Sequence, residues 1–192
     1  MKRWFALIVA LQVVFILAEW GNYTIQAESG AKVVLKALPV DPRSLFMGNY
    51  MALDLAIERI NLRGLEVSPG RDALDTNETV YVGLIPGQPY ARPVSVSTTI
   101  PSPPADGIVY MRGRVNGWDA PRPGEKASAR STIWIDYGIE RFYFDERRQA
   151  ELQDQALPRL GRPANISVTV SVPRSGQPIL QKLHINGTTV EV

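Results

Sequence analysis

Between residues 4 and 18 every position is apolar except Gln12, and no polar stripe divides the run. A helix lying on a protein core would show such a stripe with a period of 3.6 residues, so this pattern predicts a helix surrounded by lipid. Lys2 and Arg3 precede the run and Glu19 ends it. Its fifteen residues fall short of the roughly 20 that a straight span needs. Snorkelling of Lys2 and Arg3 at one end, and interfacial Trp20 and Tyr23 at the other, extend it. The expectation is a retained single-pass anchor that contacts membrane lipid. A cleaved signal peptide is its rival, with Ala27-Glu28-Ser29 as a loose small-x-small site remote from the run. In both cases the positive-inside rule keeps Lys2 and Arg3 in the cytoplasm and sends the remainder outward. The expected arrangement is residues 1–28 as membrane anchor and juxtamembrane stretch, and residues 29–192 as an extracytoplasmic β-rich domain. Its place is the cytoplasmic (inner) membrane, with the C-terminal domain on the outer, periplasmic side.

Beyond residue 31 the period changes to two. KVVLKAL reads as a strand, and in YMALDLAI the residues Met51, Leu53, Leu55 and Ile57 share one face while Tyr50 and Asp54 take the other. NLRGLEVSPGRDALDTNE is polar and turn-rich and reads as a loop. TVYVGLI, ARPVSVSTTI and GIVYMRGRV read as strands, with Pro93 suggesting an edge or a late start. NGWDAPRPGEKAS reads as a loop. STIWIDYGI and ERFYF are two strands or one bent at Gly138. ANISVTVSV and PILQKLHING flank RSGQ as a hairpin. DERRQAELQDQAL is the one helix expected in the body, with acidic residues at its start and Pro158 and Gly161 after its end. The sum is a mainly β fold: an antiparallel β-barrel or sandwich-like domain with one short helix, preceded by a transmembrane helix.

Composition narrows the chemistry. The chain has 192 residues, no Cys, one His and a net charge of +2. The missing Cys removes disulfides, thiolate metal sites and a Cys nucleophile. The scattered Arg residues carry no nucleic-acid footprint. A Ser-Lys dyad would require Ser44 with Lys32 or Lys36, but both lysines precede the serine, and the later Lys126 and Lys182 lie in a polar loop and a hairpin. His184 alternates with Leu183 and Ile185 and reads as a surface strand residue. Asp136, Glu140, Asp145 and Glu146 lie close in sequence, but Asp145 and Glu146 open the expected helix, where negative charge suits the dipole. Glu140, Arg141 and Tyr143 remain as secondary candidates, because two charges sit inside an aromatic run. No metal, cofactor or phosphate-loop pattern is present.

The stretch PVDPRSLFMGNYMALDL, from Pro39 to Leu55, is dense in turn-forming residues. Pro39 and Pro42 fix φ. Asp41 before Pro42 suits an Asx-type turn, and Arg43 can reach back to it. Gly48 and Asn49 tolerate left-handed backbone before Tyr50 opens the strand.

This stretch resembles the signature of the GDYXXLXY family, a set of membrane-anchored bacterial proteins of unknown function. Gly48, Tyr50 and Leu53 form the core of the match, with Pro39, Val40, Asp41, Pro42 and Arg43 upstream. The N-terminal anchor and the later YGIERFYFDE extend it over most of the chain. Asn49 stands where the family has Asp, and Leu55 where it has a second Tyr. A site needing a carboxylate at position 49 cannot operate here. The resemblance implies no activity. It does imply association with an integral membrane protein. The expected function is accordingly a non-enzymatic accessory or interaction module. Its binding surface is the motif, residues Asp41, Pro42, Arg43, Gly48, Asn49, Tyr50 and Leu53. Alternatives are an envelope hydrolase using a pair among Asp41, Glu140 and Asp145, and a β-domain binding a lipid or small ligand.

Overall fold

A computed structural model describes residues 2–38, 50–70, 74–119, 131–143 and 165–191. A single helix, α1 (Lys2–Ser29), leads into β1 (Ala31–Leu38) with only Gly30 between them. The apolar side chains of α1 point outward on all sides: Trp4, Phe15 and Trp20 are each more than 60% exposed. The helix is long and apolar enough to cross a membrane, and none of that stretch is buried against protein.

The expected strands follow, with some additions. They are β2 (Tyr50–Ala52), β3 (Asp54–Leu55), β4 (Arg59–Asn61), β5 (Glu66–Ser68), β6 (Thr79–Ile85), β7 (Arg92–Ser97), β8 (Val109–Trp118), β9 (Thr132–Asp136), β10 (Arg141–Tyr143), β11 (Ile166–Val172), β12 (Ile179–Ile185) and β13 (Thr188–Glu191). They build a five-stranded sheet in the order β13-β12-β11-β1-β3 and a six-stranded sheet in the order β4-β9-β8-β6-β7-β5. A two-stranded ribbon, β10-β2, completes the fold. All pairings are antiparallel except β5 with β7. The fold is therefore of the sandwich type, with no closed barrel.

Period two explains which faces meet. In the first sheet, Val190, Leu183, Val168 and Leu35 lie opposite one another across four strands, and Ile185, Ile166, Ala37 and Leu55 form a second row. All eight are buried. In the second sheet Val96, Val82 and Met111 form such a row, as do Val115 with Ile135 and Ile60 with Ile133. These inward faces form one continuous apolar core. Each fully buried Leu, Ile or Val contributes about 1.5–3 kcal/mol. Met51, Leu53, Leu55 and Ile57 are all buried, as their alternation predicts, although a turn at 56–58 ends the run.

One expectation changes, one open alternative is resolved, and one hairpin gains a further strand. The stretch expected to be a loop after β4 contributes β5, and its Leu74 is fully buried. STIWIDYGI and ERFYF are not one bent strand: β9 joins the six-stranded sheet, whereas β10 turns away at Gly138 (φ 77°) to pair with β2. PILQKLHING does not end the fold, because Asn186 (φ 49°) and Gly187 (φ 92°) form a tight left-handed turn into β13. Pro93 lies beyond the three β7 residues that β5 covers and beside a register shift at Gly83/Leu84. Its missing N–H therefore falls at an irregularity. The expected helix DERRQAELQDQAL lies outside the described residues.

The helix is fastened to the domain at its base. Gln181 Nε2 on β12 donates to the carbonyl of Ala27, one of the last helical carbonyls, which have no partner within the helix. A side chain on Gly30 would run into Ser171 Oγ and approach the backbone of Val172 and Pro173 at 2.9 Å. Gly30→Val is therefore expected to cost about 1–3 kcal/mol through overpacking, read as a lower melting temperature of the full chain in detergent.

Candidate functional site

The two stretches that resemble the family signature meet in space. Tyr50, Met51 and Ala52 of β2 pair with Tyr143, Phe142 and Arg141 of β10. Alternation buries Met51 and Phe142 completely and turns Tyr143 outward at 59% exposure. Just beyond the ribbon, Leu53 N–H donates to the carbonyl of Glu140 at 2.8 Å. On the outer face the rings of Tyr50 and Tyr143 lie 5.7 Å apart, and the Arg141 guanidinium sits 5.4 Å from the Tyr50 ring centre. Arg141 also bonds the Tyr143 hydroxyl, which favours its charged form and raises its pKa. Of the aromatic side chains around the ribbon, Tyr143 is exposed and Tyr50 half-buried. Tyr137 and Phe142 are interior, and Phe144 lies outside the described residues.

Of the motif residues, Tyr50 opens β2 and Leu53 is a buried core residue. Asp41, Pro42, Arg43, Gly48 and Asn49 lie outside the described residues, as do Ser44 and Asp145. Lys182 pairs with Glu191 at 2.6 Å. His184 bridges Thr169 (2.8 Å) and Thr189 (2.9 Å) on the surface of the five-stranded sheet.

Behind the ribbon, Glu140 does not point outward. Its Oε1 accepts from the backbone N–H groups of Tyr137 (2.5 Å) and Gly138 (3.1 Å), closing the β9–β10 turn. Asp136 Oδ1 accepts from Gly138 N–H as well, at 2.9 Å. Across this turn lies Glu58, in the tight link between β3 and β4. Its Oε1 accepts from Leu55 N–H at 2.7 Å, and its carbonyl takes Ile135 N–H at 2.8 Å. Both carboxyl groups act on the buried Tyr137, whose hydroxyl donates to the Ile57 carbonyl at 3.0 Å.

Desolvation sets the protonation of this cluster. Burial pushes the Glu58 carboxyl up to about 7, with repulsion from Glu140, Asp54 and Asp136 adding and the Leu55 hydrogen bond opposing. Burial likewise raises Glu140, against its bonds to backbone N–H groups. Burial, then the charges of Glu58 and Glu140, raise the Tyr137 phenol well above its ordinary value. Glu58 was not among the sequence candidates. Its only signal was a charge within the apolar sequence AIERINL, of the kind noted at Glu140. The Glu58 carboxyl thus titrates near neutral pH, and both glutamate carboxyl groups are tied to turns by backbone N–H donors. Among the described residues no three acidic or histidine side chains converge where a metal ion would sit.

In front of the ribbon is a groove of about 430 Å³ between the domain and the base of α1. Glu19, Asn22, Tyr23 and Gln26 line it from the helix, at the i, i+3, i+4, i+7 spacing of one face. Arg141, Tyr143 and Gln177 line it from the domain. The same helix face carries a Gln26 to Asn22 hydrogen bond of 3.1 Å.

The Glu58 carboxyl has a direct consequence for stability. Its pKa is higher folded, about 7, than the ordinary 4.5 of an unfolded chain. The stability it contributes is therefore complete below about pH 4.5 and is lost as the pH rises through about 7. Glu140 acts in the same direction. Wild-type melting temperature is expected to fall between about pH 5 and about pH 8, and Glu58→Gln to flatten that fall by stabilising the protein at the upper end. A thermal melt series across this range checks it. An unchanged slope in the variant would refute the assignment.

Neither a curated protein nor a solved structure matches the chain. A protein-family model does, over residues 12–183, a span from within the apolar helix to β12 that contains both halves of the Tyr50–Tyr143 ribbon. The chain belongs to the GDYXXLXY protein family.

Proposed function

We propose that this protein is a single-span, non-enzymatic accessory module of the cytoplasmic membrane, with its β-sandwich on the outer side. The observation that carries the reading is the joint between helix and domain. An apolar helix with no protein cover passes into a sandwich through one residue, and the family-signature ribbon lies beside the base of that helix. Such a joint holds Tyr50, Arg141 and Tyr143 at the height of the membrane surface. There they meet the outer face of an integral membrane protein sideways. Tyr and Arg are the residue types that dominate binding hot spots, and here Arg141, Tyr143 and the half-buried Tyr50 form one contiguous group. The hydrolase alternative lacks this kind of support, since Glu140 is turned to backbone N–H groups.

Two experiments test the reading. The absence of Cys makes single-cysteine labelling clean. Ala105→Cys, in an exposed loop, is expected to react with a membrane-impermeant maleimide in intact spheroplasts. Labelling only after lysis would reverse the topology. A photo-crosslinking amino acid at position 143 is expected to capture one discrete integral membrane protein, and the same group at exposed Glu191 is expected to capture none. The interaction reading fails if positions 143 and 191 give the same products.

A further inference from the structure

The groove beside α1 continues into a second one. A hollow of about 260 Å³ lies on the outer face of the six-stranded sheet, and it shares Gly138 and Gln177 with the first. Arg112 and Arg114 of β8 line it, with Thr79 and Asp136. Alternation explains their direction: Met111 and Val115 face the core, so the two arginines between them face out. The tip of the β11–β12 hairpin forms the nearer wall, held there by Arg112 N–H donating to the Gly176 carbonyl at 2.8 Å. At Gly138, between the hollows, no atom lies within 4 Å of where a side chain would begin, so the passage is open.

The charges along this path are uneven. Arg112, Arg114 and Arg141 face it, and the acidic groups along it are Asp136 and Glu19. Among the described residues neither the Arg112 nor the Arg114 guanidinium has a hydrogen-bond or ion-pair partner. Asp136, opposite Arg114 in the ladder, accepts instead from Gly138 N–H. Two neighbouring, unpaired guanidinium groups with neutral donors at Thr79 and Gln177 are matched to a phosphate, which accepts paired N–H bonds from arginine.

Position supplies the source of that phosphate. A hydrocarbon core of about 30 Å takes about 20 helical residues, so a span entered near Trp4 ends near Tyr23. Glu19 to Gln26, the helix wall of the groove, then lies in the headgroup layer. We propose that the joined grooves bind the phosphate of an anionic phospholipid headgroup, with Arg112 and Arg114 as its principal ligands and Arg141 at the entrance. This rests on α1 spanning the membrane, as in the function proposed above.

The test uses the full chain in mild detergent, offered phosphatidylglycerol and phosphatidylcholine with identical acyl chains, with retained lipid counted by native mass spectrometry. Wild type is expected to favour phosphatidylglycerol by about tenfold. The Arg112→Gln/Arg114→Gln double variant is expected to fall to parity, with its melting temperature showing that it folds. Arg59→Gln, a charge removed elsewhere on the same sheet, is expected to keep the preference. Equal preference in wild type and double variant overturns the proposal. So does tighter retention of soluble glycerol 3-phosphate than of the lipid. Carbonate extraction of membranes reads the anchor separately: loss of the chain there defeats the spanning reading and with it the headgroup as the phosphate source, whereas a retained chain with equal lipid preference overturns the site alone.

Discussion

A single residue separates the helix from the sheet, and much of the molecule depends on it. Gly30 leaves no slack between Ser29 and Ala31, so the final helical carbonyls arrive beside β11 and β12 and must find partners there. A flexible linker of even ten residues would let the domain wander by roughly 15–20 Å. Here Gln181 holds the Ala27 carbonyl, and the lack of a side chain at Gly30 lets the chain pass Ser171 and Pro173 closely. The domain is thereby fastened to the helix base, and the ribbon and grooves with it.

The second dependency is the acidic turn. Tyr137 is placed by three interactions: burial of its ring, its hydroxyl bond to Ile57, and the capture of its own N–H by Glu140. Glu58 and Glu140 pay for partial desolvation with raised proton affinity, and in return their oxygens satisfy turn N–H groups that the ladders leave open. Had those donors been left without partners in the half-buried corner, each would have cost about 1–3 kcal/mol. The arrangement fixes where β9 stops and β10 turns aside, and so where Arg141 and Tyr143 emerge.

Much of this was legible in the sequence where a single period governs a segment. TVYVGLI, GIVYMRGRV and the β11–β12 hairpin all read correctly, because each places one face in the core, and the apolar run reads as a helix because no polar stripe divides it. Reading failed where tertiary contacts decide. Glu66–Ser68 is a strand only because β7 offers it an edge. Leu74 looks like a stray apolar residue in a loop, yet it is fully buried. The Asn186-Gly187 pair is a strong hairpin signal, and giving it full weight would have found β13. At the site, the alternation within ERFYF turns Arg141 and Tyr143 outward and Phe142 inward. Glu58 could not be paired with Glu140 from sequence, since eighty-two positions separate them and only sheet topology brings them to one turn.

The rigid joint also fixes a direction. An α-helix repeats nearly in phase every seven or eleven residues, two and three turns respectively. Gln12 precedes Glu19 by seven positions and Tyr23 by eleven, so the one amide within the apolar run shares the azimuth of the groove and lies below it. A neighbouring transmembrane helix that hydrogen-bonds Gln12 inside the bilayer would rise directly beneath Arg141 and Tyr143. Orientation within the lipid and orientation above it are then a single angular variable.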